Sequence, residues 1–259
     1  MDRGEWDGAV AEAHAAIALR PNYWRNHAQL GDALMRAGRL DEAIAAYRRI
    51  VELQPDSPRG YQRLGTALQT AGRLDEALQN YEKATAIRPS WGTWSNMGTL
   101  YYWRGEHGKT VEAFEQAIAL APNKPDLYAN LGDALKKLGQ SGRAADSYRR
   151  AIEQVRKLLT VNEHDPLNVA ALALYQAKLG QGTMAEASIT KAVGLSPKDG
   201  EVLYVRAVVY ALAGDTSNAC GAIAEALAHG KSAEEIRHAD ELTTVHGCAA
   251  YDRVIAAGR

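Results

Sequence analysis

The sequence predicts an all-α fold: a right-handed α-solenoid of tandem helix-turn-helix repeats, closed by a C-terminal helical cap. Three observations carry this. Glycines recur at Gly38, Gly72, Gly105, Gly139, Gly180 and Gly214, spaced 34, 33, 34, 41 and 34 residues apart. Prolines Pro21, Pro55, Pro89 and Pro122 keep the same rhythm, at 34, 34 and 33. Between these marks each unit holds two apolar-periodic segments joined by a glycine turn, as two amphipathic helices require. A fixed period of this length is the signature of stacked repeats.

The elements follow in order. Residues 4–21 supply only a second helix, with Gly4-Glu5-Trp6-Asp7 as the turn and Ala9 to Leu19 as the helix. Full repeats are expected at 24–57, 58–90, 91–124, 125–165, 166–199 and 200–231, giving an array over 4–231. The stretch Arg39-Leu40-Asp41-Glu42-Ala43 restarts a helix after Gly38, with acids in the first turn where the dipole favours them. Pro55 closes the second helix and frees the next to begin. Gly31, Gly65, Gly98 and Gly132 lie inside first helices, each at a cost of about 1 kcal/mol against Ala. Close approach of a neighbouring helix offsets that cost, with Ala43 and Ala77 filling the tight contact. Tyr47, Tyr81, Phe114 and Tyr148 are the large core residues of the second helices. The 41-residue spacing adds 7 residues, about 10 Å of helix, which places an extended second helix from Ala144 to about Val161. In the last two repeats Ala173 and Ala207 stand where the glycine was. The tail carries two short helical patterns, Ala233 to Leu242 and Ala249 to Ala256, placed to cap the stack over 232–259.

The pattern L-G…G-x-x-(D/E)-x-A…(Y/F)-x-x-A…P is well matched in four consecutive repeats. Two of them are LGDALMRAGRLDEAIAAYRRIVELQP, Leu30 to Pro55, and LGTALQTAGRLDEALQNYEKATAIRP, Leu64 to Pro89. From its first residues to about Gly230 the chain resembles the tetratricopeptide repeat (TPR) family. The resemblance implies a protein-protein interaction scaffold that holds an extended peptide or partner segment on the concave, first-helix face. It does not imply an enzyme. A looser resemblance, to the TPR tails of large bacterial multi-domain signalling and regulatory proteins, rests on the longer fifth unit and the Ala-rich final repeats. It implies a docking or regulatory segment of such a protein.

Helical spacing from the small residue of each first helix places the concave-face residues. They are Arg25, Gln29 and Asp32 in the first full repeat, and Arg59, Arg63 and Thr66 in the second. Asn96, Thr99 and Trp103 follow in the third, and Asn130, Asp133 and Lys137 in the fourth. Asn96 and Asn130 carry a donor and an acceptor each and match the Asn rows of some TPR grooves. Solvated amides are the plainer reading. Arg25, Arg59 and Arg63 form a local positive patch suited to an acidic side chain or a terminal carboxylate. Family members that bind chaperone tails use a Lys/Asn/Asn/Lys/Arg clamp. Here Ala28 and Asp32 replace its opening Lys and Asn, so that ligand is not implied. Trp103 and Tyr102 are either groove anchors or packing between repeats.

Composition excludes several classes. The 259 residues carry 30 Lys+Arg against 31 Asp+Glu, a net charge of -1. No basic stripe marks a nucleic-acid partner, and no run of about 18 apolar residues marks a membrane span. The chain opens on polar residues without an apolar leader, and a cytoplasmic location is the expectation. Cys220 and Cys248 allow one bridge but no disulfide framework. No P-loop, dinucleotide fingerprint, nucleophile elbow or H-E-x-x-H occurs, so neither catalysis nor a cofactor is expected. His238, His246 and Cys248 crowd the tail, but their spacing fits no standard zinc set and no metal site is expected. The chain begins in mid-repeat. Its first helix is therefore expected to bare Val10, Ala13 and Ile17, a face that upstream residues or a second copy would cover. Homo-oligomerisation through that half repeat is the alternative function.

Overall fold

The computed structural model describes residues 3–237, 239–245 and 247–256, and among them only helices and turns occur. The chain falls into two compact units, Met1–Pro122 and Asn123–Arg259.

In unit 1, α1 (Arg3–Leu19) precedes three hairpins: α2 (Trp24–Arg36) with α3 (Leu40–Leu53), α4 (Pro58–Thr70) with α5 (Leu74–Ile87), and α6 (Trp91–Trp103) with α7 (His107–Leu120). Local chemistry sets these boundaries. The Ser57 side chain accepts from the Gly60 N–H, and Pro58 sits at the first helical position, where its missing N–H costs nothing. Ser90 caps α6 in the same way, accepting from the Thr93 N–H at 3.2 Å. At the other end, Gly38, Gly72 and Gly105 adopt φ of 73°, 74° and 73°. The chain then folds back so that the Arg39 N–H reaches the Leu34 carbonyl at 2.9 Å. This left-handed cap is the glycine-favoured helix stop, and it explains the periodic glycines.

The glycine inside each first helix of unit 1 faces an aromatic ring. A Cβ on Gly65 would lie 2.6 Å from Tyr81 Cε1, and one on Gly98 3.0 Å from the Phe114 ring. The expectation that Ala43 and Ala77 fill this contact is corrected: both are fully buried, but the second-helix ring occupies the space above the glycine. The void left by a missing side chain is filled by a large one, keeping the interior close-packed.

Helix α1 also departs from expectation. Val10 and Ala13 are each 5% exposed, and with Ile17 they join the core shared by α2 and α3. The half repeat therefore packs as an ordinary second helix and turns those residues inward. Its exposed positions include Glu12, His14 and small alanines.

In unit 2 the hairpins are α8 (Pro125–Lys137) with α9 (Ser141–Val161), α10 (Pro166–Lys178) with α11 (Gly182–Leu195), and α12 (Gly200–Leu212) with α13 (Thr216–Ala228). Helix α9 has 21 residues where α3, α5, α7 and α11 have 14, and its far end leaves Leu158 and Val161 exposed. The tail forms α14 (Ala233–Arg237), a 3₁₀ helix (Asp240–Thr244) and α15 (Ala249–Ala256). Ile236, Leu242, Val245, Tyr251 and Val254 join Ala219, Ala222 and Ile223 of α13 in one core. A Cys220–Cys248 disulfide, with Cα atoms 5.5 Å apart, ties the tail to α13.

Candidate functional site

In unit 1 the first-helix residues converge on Asp32. Its carboxylate accepts from the Tyr47 hydroxyl at 2.7 Å and pairs with Arg63 on the next first helix. Burial, reinforced by the Asp32 carboxylate, pushes the Tyr47 phenol far above its ordinary range and keeps it a hydrogen-bond donor. Burial works against the Arg63 charge, yet its hydrogen bond to the Asp32 carboxylate and the charge there leave its pKa raised. The guanidinium stays charged and about one-third exposed.

Around this pair lies a cavity of about 650 Å³, lined among others by Asp32, Arg36, Arg59, Gln62, Arg63 and Thr66. A second cavity of about 490 Å³ shares Arg59 and Gln62 and adds Arg88, Trp91 and Asn96. Arg59 is exposed and makes no ion pair with any described residue. Arg36 lies 4.9 Å from the centre of the Trp6 ring. The groove is thus cationic, with one carboxylate.

The structure brings Asp32, Arg59, Arg63, Thr66 and Asn96 of the expected set to these two cavities. Arg25 packs instead on its neighbours, with its guanidinium 5.4 Å from the Trp24 ring and a bond to the Tyr23 hydroxyl at 3.1 Å. Gln29 is exposed but lines neither cavity. Thr99 turns its hydroxyl to its own helix, donating to the Ser95 carbonyl at 3.1 Å. Trp103 is 48% exposed and also outside both cavities. Asn96 is partly committed: its amide donates to the Tyr81 hydroxyl at 3.2 Å, and that hydroxyl in turn donates to Gln69. One amide hydrogen bond is therefore spent inside the repeat.

In unit 2 the equivalent residues are engaged by the chain itself. Asp133 accepts from the Tyr148 hydroxyl at 2.8 Å and from Lys178 at 2.6 Å. Lys178, nearly buried, also pairs with Glu241 of the tail at 2.7 Å. Lys137 pairs with Asp240 at 2.9 Å. Asp133 and Lys137, expected to face a partner, thus hold the protein's own C-terminal segment. Asn130 is half-buried. Burial opposes the Lys178 charge, but two carboxylates outweigh it and hold the ammonium protonated. Burial lifts the Asp133 carboxyl above its usual value. For Glu241 burial acts upward too, yet Lys178 prevails and lowers it.

Sequence reasoning missed Gln62, Arg88 and Lys178. Lys178 was within reach: it stands five residues after Ala173, as Lys137 stands after Gly132 and Arg36 after Gly31. The two acids of the tail carried no such signal. Among the described residues no group of three or more His, Cys, Asp and Glu could hold a metal. Cys248 is spent in the disulfide, and His238 and His246 lie outside the described residues. No described helix is long and apolar enough to cross a membrane.

Residues 4–242 match the family described as the cilia and flagella-associated protein 70 C-terminal domain, a tetratricopeptide family. The chain belongs to this TPR family. No curated protein matches it. Among solved structures, this TPR chain is similar to a tetratricopeptide repeat protein from Parabacteroides merdae, with a TM-score of 0.65 and 18% identity over 94% of this chain and 93% of that one. MamA is 26% identical, with a TM-score of 0.57, over 61% of this chain and 92% of its own. The TPR chain is also similar to a chain of the APC/C hetero-tetramer Cut9–Hcn1, at a TM-score of 0.63 and 17% identity. It covers 97% of this chain but only 46% of that one. The likenesses at 17% and 18% identity concern the fold alone.

Proposed function

We propose that this TPR domain is a protein-protein interaction scaffold that holds an extended segment of a partner protein on the first-helix face of unit 1. The observation that carries the reading is the pair of adjoining cavities joined at Arg59 and Gln62. Together they make an elongated, polar trough on three successive first helices, suited to a chain segment rather than a compact small molecule. Asn96 and Gln62 offer amides to a peptide backbone, and Trp91, 43% exposed, offers an aromatic wall. Support also comes from unit 2, where the equivalent face holds a peptide segment, the protein's own. The self-association alternative loses its motive, because Val10, Ala13 and Ile17 are already covered within unit 1.

Random peptides displayed on phage and selected on the full chain test this. Gln62→Trp, at the waist of the trough, is expected to abolish binding of the selected peptides. Lys191→Trp, on the exposed surface of α11, should leave it intact. Peptides that bind both variants equally would sink the reading.

A further inference from the structure

Resting on the reading of the unit 1 trough as a partner site, we infer that its ligand is an acidic segment, recognised through internal Asp and Glu side chains by Arg36, Arg59 and Arg63. One residue after the small residue of the first helix stands Asp32 in the first repeat and Asp133 in the fourth. Each accepts from a second-helix tyrosine, Tyr47 at 2.7 Å and Tyr148 at 2.8 Å. Each pairs with a cation from the next first helix of its unit, Arg63 and Lys178. Five residues after the small residue stand Arg36 and Lys137. The two faces are therefore variants of one device: they share the carboxylate, its tyrosine and the cation five residues after the small residue, while the cation on the carboxylate comes from two residues before Gly65 in Arg63 and from five after Ala173 in Lys178.

In unit 2 the device shows its ligand chemistry. Asp240 and Glu241, consecutive residues of the tail, place one carboxylate on Lys137 at 2.9 Å and the other on Lys178 at 2.7 Å. The carboxylate, ammonium and incoming carboxylate alternate in sign, so the inner Asp133 orients the cation and the outer acid neutralises it. In unit 1 the inner carboxylate and cation are in place and line an open cavity of about 650 Å³. Arg36 and Arg59 raise the lining to three guanidinium groups against one carboxylate. A guanidinium that already bonds Asp32 keeps further N–H donors, and planar bidentate bonding suits a second carboxylate. A neutral or basic segment would leave this positive charge uncompensated as the trough lost its water. The selectivity is for side-chain acids within a segment, because that is what the unit 2 face holds.

The test uses the full chain and a fluorescent peptide copying residues 239–245, Ala-Asp-Glu-Leu-Thr-Thr-Val, with a control peptide carrying Asp240→Asn and Glu241→Gln. Fluorescence anisotropy should show the acidic peptide binding, and the control weaker by about tenfold or more. Arg36→Gln with Arg59→Gln should weaken the acidic peptide to the level of the control. Lys137→Gln, on the unit 2 face, should leave binding unchanged, and added salt should reduce it. Both arginines are exposed, and unchanged thermal unfolding of the double variant confirms that the fold is intact. Equal binding of the two peptides, indifference to the arginine pair, loss only in Lys137→Gln, or no binding at about 1 mM would each overturn the inference. The phage selection separates the two readings. Peptides that need Gln62 but show no acidic preference leave the trough standing and remove the acidic ligand. Peptides indifferent to Gln62→Trp remove both.

Discussion

The Asp32 face of unit 1 and the Asp133 face of unit 2 share a carboxylate at one register position, its tyrosine donor and a cation from the next first helix, Arg63 on one and Lys178 on the other, yet they differ in what covers them. Arg63 of the first is about one-third exposed, while Lys178 of the second is 9% exposed beneath the tail. A carboxylate–cation pair therefore sits in two dielectric settings. In the exposed setting it contributes little to stability and leaves its charge facing solvent. In the covered setting it is a structural joint whose loss strands a partly buried carboxylate. One chain thus separates an open repeat face from one locked into the fold by whether a local segment lies over it.

The largest predicted effect breaks this comparison directly. Lys178→Met should cost about 3–5 kcal/mol of unfolding free energy, because Asp133 and Glu241 then face each other without a cation. Arg63→Met should cost only about 0–1 kcal/mol. Equal losses in urea unfolding would show that burial does not divide the two faces.

Next comes the disulfide that holds the cover in place. Its cysteines are 28 residues apart, a closed loop worth about 3–4 kcal/mol in the chain-entropy picture. Reduction, or Cys220→Ser, should lower amide protection in α13 and in the tail helices while unit 1 keeps its own. Thiol titration of the unreduced protein should find no free thiol. Two titratable thiols in protein isolated from its native cell would show that the tail is held by packing and ion pairs alone, and would fit the cytoplasmic expectation, since such bridges are rare in reducing compartments.

A third prediction concerns the repeats themselves. Gly65→Ala should cost about 1–3 kcal/mol by overpacking, since its Cβ would meet Tyr81 at 2.6 Å. In the sixth and seventh units the small residues are Ala173 and Ala207, and the residue sixteen further on is Ile189 or Ile223 instead of a ring. Gly65→Ala joined to Tyr81→Ile should therefore be more stable than the sum of the single changes predicts. Strict additivity would mean that the ring and the glycine are not a matched pair.

The smallest effect is one of pH. Glu241 titrates below its ordinary value of 4.5, the Lys178 charge outweighing burial. A carboxyl with a depressed folded value contributes stability above 4.5 and loses it as pH falls through that lower value. Asp133, raised by burial, acts the other way: its protonation relieves the fold as pH falls, so the net change is modest. The protection factors of the 3₁₀ helix Asp240–Thr244, taken relative to the intrinsic exchange rate at each pH, should fall from pH 5 to pH 3, while the Glu241→Gln variant shows a flatter profile. Parallel profiles in both would remove Glu241 from the joint.

Much of this protein was determined by sequence alone, for a physical reason. Glycine caps, first-turn acids, Pro58 and Pro166 at helix starts and the 3.6-residue apolar rhythm act over a few residues, so they are legible without knowing the fold. They gave the helix pairs, the extended α9 and the family. Register then placed Asp32, Arg59, Arg63, Thr66 and Asn96 near the trough, because stacked hairpins repeat one geometry. The tertiary structure decided the rest, because it depends on distance across space. It matched each glycine to a ring 16 residues away, turned Val10 and Ala13 inward, and joined Cys220 to Cys248. It also laid Asp240 and Glu241 over Lys137 and Lys178, so that a face read from the sequence as open to a partner is closed by the chain's own end. No periodicity could announce that contact, since an ion pair between residues 63 positions apart, Lys178 and Glu241, exists only once the solenoid has stacked and the tail has returned to it.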